Sequence, residues 1–240
     1  MFQKFADEFK QNFINENRWQ YLAKGLGITL EITVLALLLG LVLGFVVAVL
    51  RSTHDKVCGD KKGGRFFLRL GNAVSKLYLT VIRGTPTTVQ LLIIYFVIFG
   101  SVKGANKVLC AVLAFGINSG AYIAEIVRSG IMSIDNGQTE AGRSLGLNFG
   151  QTMTNIIMPQ AFKNVLPALG NEFIVLLKET SISGYIALQD LTKGGDIIRS
   201  QTYSPFMPLL AVALIYLVIV MGLSKLLTLL ERRLAQNDKR

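Results

Sequence analysis

The sequence predicts an all-α integral membrane protein with five transmembrane helices, its N-terminus outside and its C-terminus in the cytoplasm. Composition is the first reason. The 240-residue chain is 51% apolar with a mean hydropathy of +0.47, and 17% of its residues are charged, where a soluble domain carries about a quarter. The second is a set of long charge-free runs, each close to the ~20 residues a helix needs to cross a hydrocarbon core. The third is the placement of Lys and Arg at the ends of those runs, since basic loops are retained in the cytoplasm.

Residues 1–24 form an N-terminal extracytoplasmic segment. They lack the apolar core and small-residue cleavage site of a secretory signal. Phe2, Phe5, Phe9 and Phe13 recur at helical spacing, and Trp19 and Tyr21 precede the first span. This pattern fits an amphipathic helix lying in the outer interface or a loose tail with interface aromatics. Residues 32–50 and 84–102 each run 19 positions without a formal charge, residues 108–124 run 17, and residues 200–224 run 25. A fourth segment, residues 164–189, is interrupted by Glu172, Lys178 and Glu179. It counts as a span because otherwise its flanking loops fall on the wrong sides.

Residues 51–69 carry six basic side chains (Arg51, Lys56, Lys61, Lys62, Arg65 and Arg69), residues 128–163 carry three, and Lys225 onward five. That makes fourteen on one side against eight on the other. Cytoplasmic retention also explains the net charge of +10, and no basic stripe with interleaved aromatics supports a nucleic-acid partner. Cys58 and Cys110 offer neither a disulfide framework nor a CxxC motif, and His54 has no neighbour at metal-ligand spacing. No metal site is expected. Gly63-Gly64 reads as a short flexible linker.

Between the third and fourth spans lies EAGRSLGLNFGQTMTNIIMP, residues 140–159. Asn136 can cap a helix beginning at Gly137, with Glu140 in its first turn, where a carboxylate favours the helix dipole. Gly146 ends that helix, because a residue at positive φ is most easily Gly. Asn148 caps the next helix, with Gln151 completing a capping-box pattern. Pro159 biases Met158 toward extended backbone. The product is a short rigid elbow.

The segment resembles the EAA loop of permease subunits in bacterial ABC importers: EAA, three residues, Gly, nine residues, Ile, any residue, Leu-Pro. Gly142 stands for the third small residue and Met158 for Leu. The resemblance implies that the loop, at about residues 132–162, docks the permease onto its ATPase. Glu140, Ala141, Gly142, Gly146, Leu147, Asn148 and Pro159 would then be the coupling residues. Three further segments resemble the polar amino-acid branch, the histidine/glutamine/arginine permease family. They are Arg83-Gly84-Thr85-Pro86 with Gln90; Ala121-Tyr122-Ile123-Ala124-Glu125 with Arg128 and Gly137-Gln138; and Leu166-Pro167-Ala168 with Asn171-Glu172 and Lys178-Glu179-Thr180-Ser181. The implied fold is that of a type I ABC importer permease, with a transmembrane domain at residues 25–232 and a cytoplasmic tail at 233–240.

Ionisable residues within a bilayer usually face a bundle interior or aqueous cavity. Gly84 and Pro86 weaken the second span near its centre. Arg83, Thr85, Gln90, Asn118, Tyr122, Asn171 and Glu172 are therefore expected to converge at similar depth. Glu172, with Asn171, is the candidate for a cationic group of the substrate, and polar second-span groups for its carboxylate. Alternatively, Arg83 and Glu125 form an internal ion pair. Glu31 and Lys178-Glu179 lie in the outer third, either guiding substrate or snorkelling to the interface.

The chain has no GxxxxGK[ST] phosphate loop. It is expected to be no enzyme and to hold no cofactor, with ATP and Mg bound by partner ATPase subunits. The other expected partners are a second permease copy (a homodimer) or a related permease, an extracytoplasmic amino-acid-binding protein, the lipid bilayer and an amino-acid substrate. The expected location is the bacterial cell membrane. A stand-alone ion-coupled secondary transporter or channel is the competing reading, although such proteins often show inverted repeats and none is visible.

Overall fold

Ten α-helices follow one another along the computed structural model, which describes residues 2–58 and 66–237. They are α1 (Phe2–Phe9), α2 (Trp19–Cys58), α3 (Phe66–Arg83), α4 (Thr87–Ile98), α5 (Lys107–Met132), α6 (Asn136–Ser144), α7 (Phe149–Thr152), α8 (Met158–Glu179), α9 (Leu191–Thr202) and α10 (Phe206–Asn237). The Gly63-Gly64 linker, with Lys61, Lys62 and Arg65, lies outside the described residues. Helices α2, α5 and α10 are long and apolar enough to cross a membrane, and the broken α3–α4 pair makes a fourth candidate. Helix α8 has 22 residues, about 33 Å at 1.5 Å per residue. Its charged residues keep it below the apolar threshold of a span.

The break between α3 and α4 falls where Gly84 and Pro86 predict it. Pro86 is extended, at φ −65° and ψ 137°, and α4 restarts at Thr87. Thr85 Oγ1 donates to the Val81 carbonyl at 2.8 Å, and the Gly84 amide to Thr80 at 3.0 Å. The first gives a hydroxyl to a carbonyl at the open end of α3, and the second is the last bond of its ordinary ladder.

The chain divides into two compact units. One comprises residues 1–38, 86–116 and 174–225. Its core gathers Phe13, Leu22, Leu191, Ile198, Met207 and Val212. Helix α9 was not expected from the sequence, which merged its last residues into a span over 200–224. Its interior Gly194-Gly195 explains why it forms. A Cβ at Gly194 would stand 2.5 Å from the Tyr21 carbonyl oxygen, and one at Gly195 2.5 Å from Val212 Cγ2. The pair therefore lets α9 nest between α2 and α10. Asp190 caps α9 through the Thr192 and Lys193 amides, at 3.2 and 3.0 Å. Burial pushes its carboxyl above the ordinary range, and those amide bonds oppose the shift. The N-terminal segment is helical, and buried Asn12 accepts a 2.7 Å hydrogen bond from Thr202.

The second unit comprises residues 39–85, 117–173 and 226–240. Here α2 meets α5 through Gly40 and Gly44, spaced as GxxxG. A Cβ at Gly44 would stand 2.7 Å from Ile123 Cβ and 3.0 Å from the Ala124 amide nitrogen. Small residues admit this backbone approach, which is how apolar helices associate where lipid removes the hydrophobic drive. Tyr78 of α3 donates to the Ile117 carbonyl at 2.6 Å. Leu79 packs with Ala121 and Ala124 beside it.

Two local expectations are corrected. Asp135, not Asn136, caps α6, accepting from the Gly137 amide at 2.6 Å. A carboxylate suits a helix N-terminus better than an amide, and Glu140 consequently falls beyond the first turn. Met158 is helical, at φ −60° and ψ −41°, not extended. A π-helical stretch, Met153–Ile157, joins α7 to α8 without interruption. Pro159 therefore follows the π-helical turn inside a continuous helix, and that irregularity accommodates its ring and missing amide. Helix α8, expected from the sequence to reach Gln189, ends at Glu179 and gives way to a 3₁₀ stretch, Thr180–Ile186.

Candidate functional site

The elbow is built from backbone bonds that its sequence specifies. Helix α6 ends in a Schellman motif: Gly146 takes φ +82°, its amide donates to the Arg143 carbonyl at 3.0 Å, and the Leu147 amide donates to Gly142 at 3.1 Å. Asn148 and Gln151 close a reciprocal capping box, both bonds at 2.9 Å. The turn between α6 and α7 is thereby saturated on both sides, which makes it stiff. Gly142 is buried against α7 and the π stretch, where a Cβ would stand 2.7 Å from Thr152 Cγ2 and 3.0 Å from Ile156 Cδ1. The departure from the family's third small residue is thus matched by Thr152. Glu140 and Ala141 are exposed, and Leu145 is 78% exposed at the tip. A rigid turn presenting an apolar tip can bear a load from a partner.

The polar residues expected at one depth fall into two sets. In the first, Glu172 accepts a 2.7 Å hydrogen bond from Ser119 Oγ, with Asn118 buried beside Ser119 in sequence and Asn171 exposed. In the second, Glu125 lies 3.7 Å from both Arg51 and Arg83 and 3.5 Å from Arg128, which also reaches Asp55 at 3.4 Å. The Arg83 guanidinium sits 5.6 Å from the centre of the Tyr122 ring. Ser119 and Glu125 are six residues apart on α5, about 9 Å along its axis, so Arg83 and Glu172 do not share a level. The internal pair between Arg83 and Glu125 is present, and Arg83, Tyr122, Glu125, Ser133 and Asn164 line an open cavity of about 570 Å³. Thr85 is exposed at the α3–α4 break, whereas Gln90 is buried on α4 in the other unit. Ser119, Arg51 and Asp55 were not singled out from the sequence. Their types carry no spacing signal, and only helix packing brings them to their partners.

No group of three or more potential metal ligands occurs among the described residues. The family described as "Binding-protein-dependent transport system inner membrane component" matches residues 62–236. The arginine transport system permease protein ArtQ of Bacillus subtilis is 38% identical over 91% of this chain and 94% of its own length. The glutamine transport system permease protein GlnP of Escherichia coli is 38% identical over 89% and 92%. A crystal structure of an amino acid ABC transporter with histidines superposes with a TM-score of 0.80 at 42% identity, covering 92% of this chain and 98% of that one. The MetNI methionine ABC transporter, inward facing, shares the fold at a TM-score of 0.74 and 20% identity.

The fold and its elbow define a membrane-embedded permease subunit of an ABC transporter, an all-helical protein of the inner membrane that is not itself an ATPase. The chain belongs to the family of binding-protein-dependent transport system inner membrane components. ATP is bound by a separate ATPase partner. Family membership sets aside the stand-alone ion-coupled transporter.

Proposed function

We propose that this permease imports a polar or charged amino acid, with Glu172 as the residue that meets the substrate's cationic group. Helices α2, α3–α4, α5, α8 and α10 are five spans, with the N-terminus outside and residues 1–24 on the outer interface. The C-terminal tail, residues 233–240, is cytoplasmic. The arginine and glutamine permeases to which the chain is similar support an amino-acid substrate. The observation that carries the site is the Glu172 carboxylate, half-buried within a helix expected to span the membrane and held by Ser119. Such a group is costly in lipid and persists beside an aqueous path. Asn171, Asn118, Thr85 and Tyr122 supply further polar contacts, and Arg83 shares its charge between Glu125 and the substrate carboxylate.

A second copy or a related permease completes the pathway. An extracytoplasmic binding protein delivers substrate, and the elbow (Glu140, Ala141, Gly142, Gly146, Leu147, Asn148 and Pro159) docks on the ATPase. Closure of the ATPase dimer pushes the elbows and turns the spans outward, and hydrolysis resets them. The test is uptake by the reconstituted transporter over a panel of amino acids, with Glu172→Gln and Glu172→Ala. Loss of apparent affinity in both variants is expected. Unchanged affinity in both removes Glu172 from the site.

A further inference from the structure

Helix α3 wears its polarity in two parallel stripes. Phe66, Leu70, Val74, Leu77 and Val81 recur at helical spacing, and all are exposed, from 49% to 71%. Alongside, Lys76, Thr80 and Arg83 fall at i, i+4 and i+7 and border a cavity of about 460 Å³ closed by Arg51, Gly84 and Glu125. The cavity has three cations and one carboxylate, and that carboxylate is shared with Arg128. Lys76 is exposed and has no ion-pair partner among the described residues. The Arg51 Nε is buried without a hydrogen-bond partner among the described residues.

Depth identifies the ligand. Arg51 directly follows the charge-free run of residues 32–50, about 28 Å of helix, close to the full thickness of the hydrocarbon core. It therefore lies where acyl chains end and headgroup phosphates begin, and Lys76 borders the same cavity. We propose that this groove binds the headgroup phosphate of an anionic phospholipid, whose acyl chains run outward from Lys76 over Leu77 and Val81 of α3. The guanidinium fork of Arg51 and the Lys76 ammonium offer charge-assisted donors to phosphate oxygens, and the Thr80 hydroxyl supplies a third donor. A free phosphate ion or a small polar substrate would leave Leu77 and Val81, exposed beside the groove, uncovered. The paired stripes specify an amphiphile, and anionic lipids concentrate at basic surfaces of the cytoplasmic leaflet.

The test uses the assembled transporter, permease with its ATPase, reconstituted in phosphatidylcholine with or without phosphatidylglycerol. Lipids retained on purification are counted by native mass spectrometry. Wild type and Lys76→Arg should retain phosphatidylglycerol. Lys76→Gln should retain it about fivefold more weakly, the worth of one basic residue at an anionic surface, and Lys76→Glu should lose it. Inorganic phosphate should not displace the lipid. In wild type, phosphatidylglycerol should slow acetylation of the Lys76 amine, a readout that needs no substitution. Equal retention in Lys76→Glu, displacement by inorganic phosphate, or acetylation indifferent to phosphatidylglycerol would each overturn the proposal. So would a disulfide between two Leu77→Cys permeases, which assigns the stripe to a second copy.

Discussion

Gly142 is the point at which the two arms of the elbow touch, and Gly142→Ala perturbs that contact alone. The new methyl would sit 2.7 Å from Thr152 Cγ2 and 3.0 Å from Ile156 Cδ1, where carbon atoms prefer about 3.5–4.0 Å. The Ile156 methyl is the end of a flexible chain and can turn aside. Thr152 is 1% exposed and stiff at χ1 within a helix, so the two arms must part. Overpacking of this kind costs about 1–3 kcal/mol. Ala in place of Gly returns up to ~1 kcal/mol of helix propensity, leaving a net loss of roughly 0–2 kcal/mol. Thr152→Ala removes the opposing methyl, and the Thr152 hydroxyl lost with it has no hydrogen-bond partner among the described residues. The double variant should therefore recover, with a coupling energy of about 1–3 kcal/mol across the four-member cycle. Native-state hydrogen exchange of the α6 amides in the assembled transporter reads this opening energy directly. Effects that add to within ~0.5 kcal/mol would refute the contact as the elbow's joint.

Three further outcomes are expected. Gly146, at φ +82° with nothing within 4 Å of a built Cβ, is there for conformation alone. Gly146→Ala should therefore loosen the elbow by about 1–2 kcal/mol and Gly146→Asn by less, with ATPase activity persisting as uptake falls; equal effects of Ala and Asn would contradict this. Gly44→Ala should lower the thermal midpoint of the purified protein, because its methyl meets Ile123 and the Ala124 backbone, whereas Gly27→Ala, with open space around it, should not; similar midpoints would remove the α2–α5 contact as the cause. Hydrogen bonds from Lys193 and Arg199, aided by their charges, hold the Asp196 carboxyl below its ordinary value of 3.8. A depressed folded pKa stabilises fully above that value and is lost as pH falls through the lower one. The gap in thermal midpoint between wild type and Asp196→Asn should thus close in acid, and a constant gap would argue against it.

Much of the elbow was legible residue by residue. Gly146 and the Asn148–Gln151 box act through atoms within a few positions of each other, so spacing predicts them. The same holds for the break at Pro86. Asp135 and Met158 were misread for related reasons. A carboxylate one position earlier outcompeted Asn136 as a cap, and a π-helical turn absorbed the restriction that Pro159 places on Met158. Helix α9 was missed because Gly194-Gly195 reads as a breaker until neighbouring backbones require the absent side chains. The Gly40–Gly44 spacing was a signal available in the sequence, since GxxxG within an apolar run marks close helix contact.

By itself the sequence determined the class of protein, its apolar helices, and the turn and second cap of its elbow, because hydropathy and backbone hydrogen bonding are local properties. Only the tertiary structure decided which charges meet. Glu172 finds Ser119 across 53 residues, and Glu125 collects Arg51, Arg83 and Arg128 from three helices. Those partners are selected by the depth and rotation at which helices pack, and glycine contacts such as Gly44 on Ile123 set both.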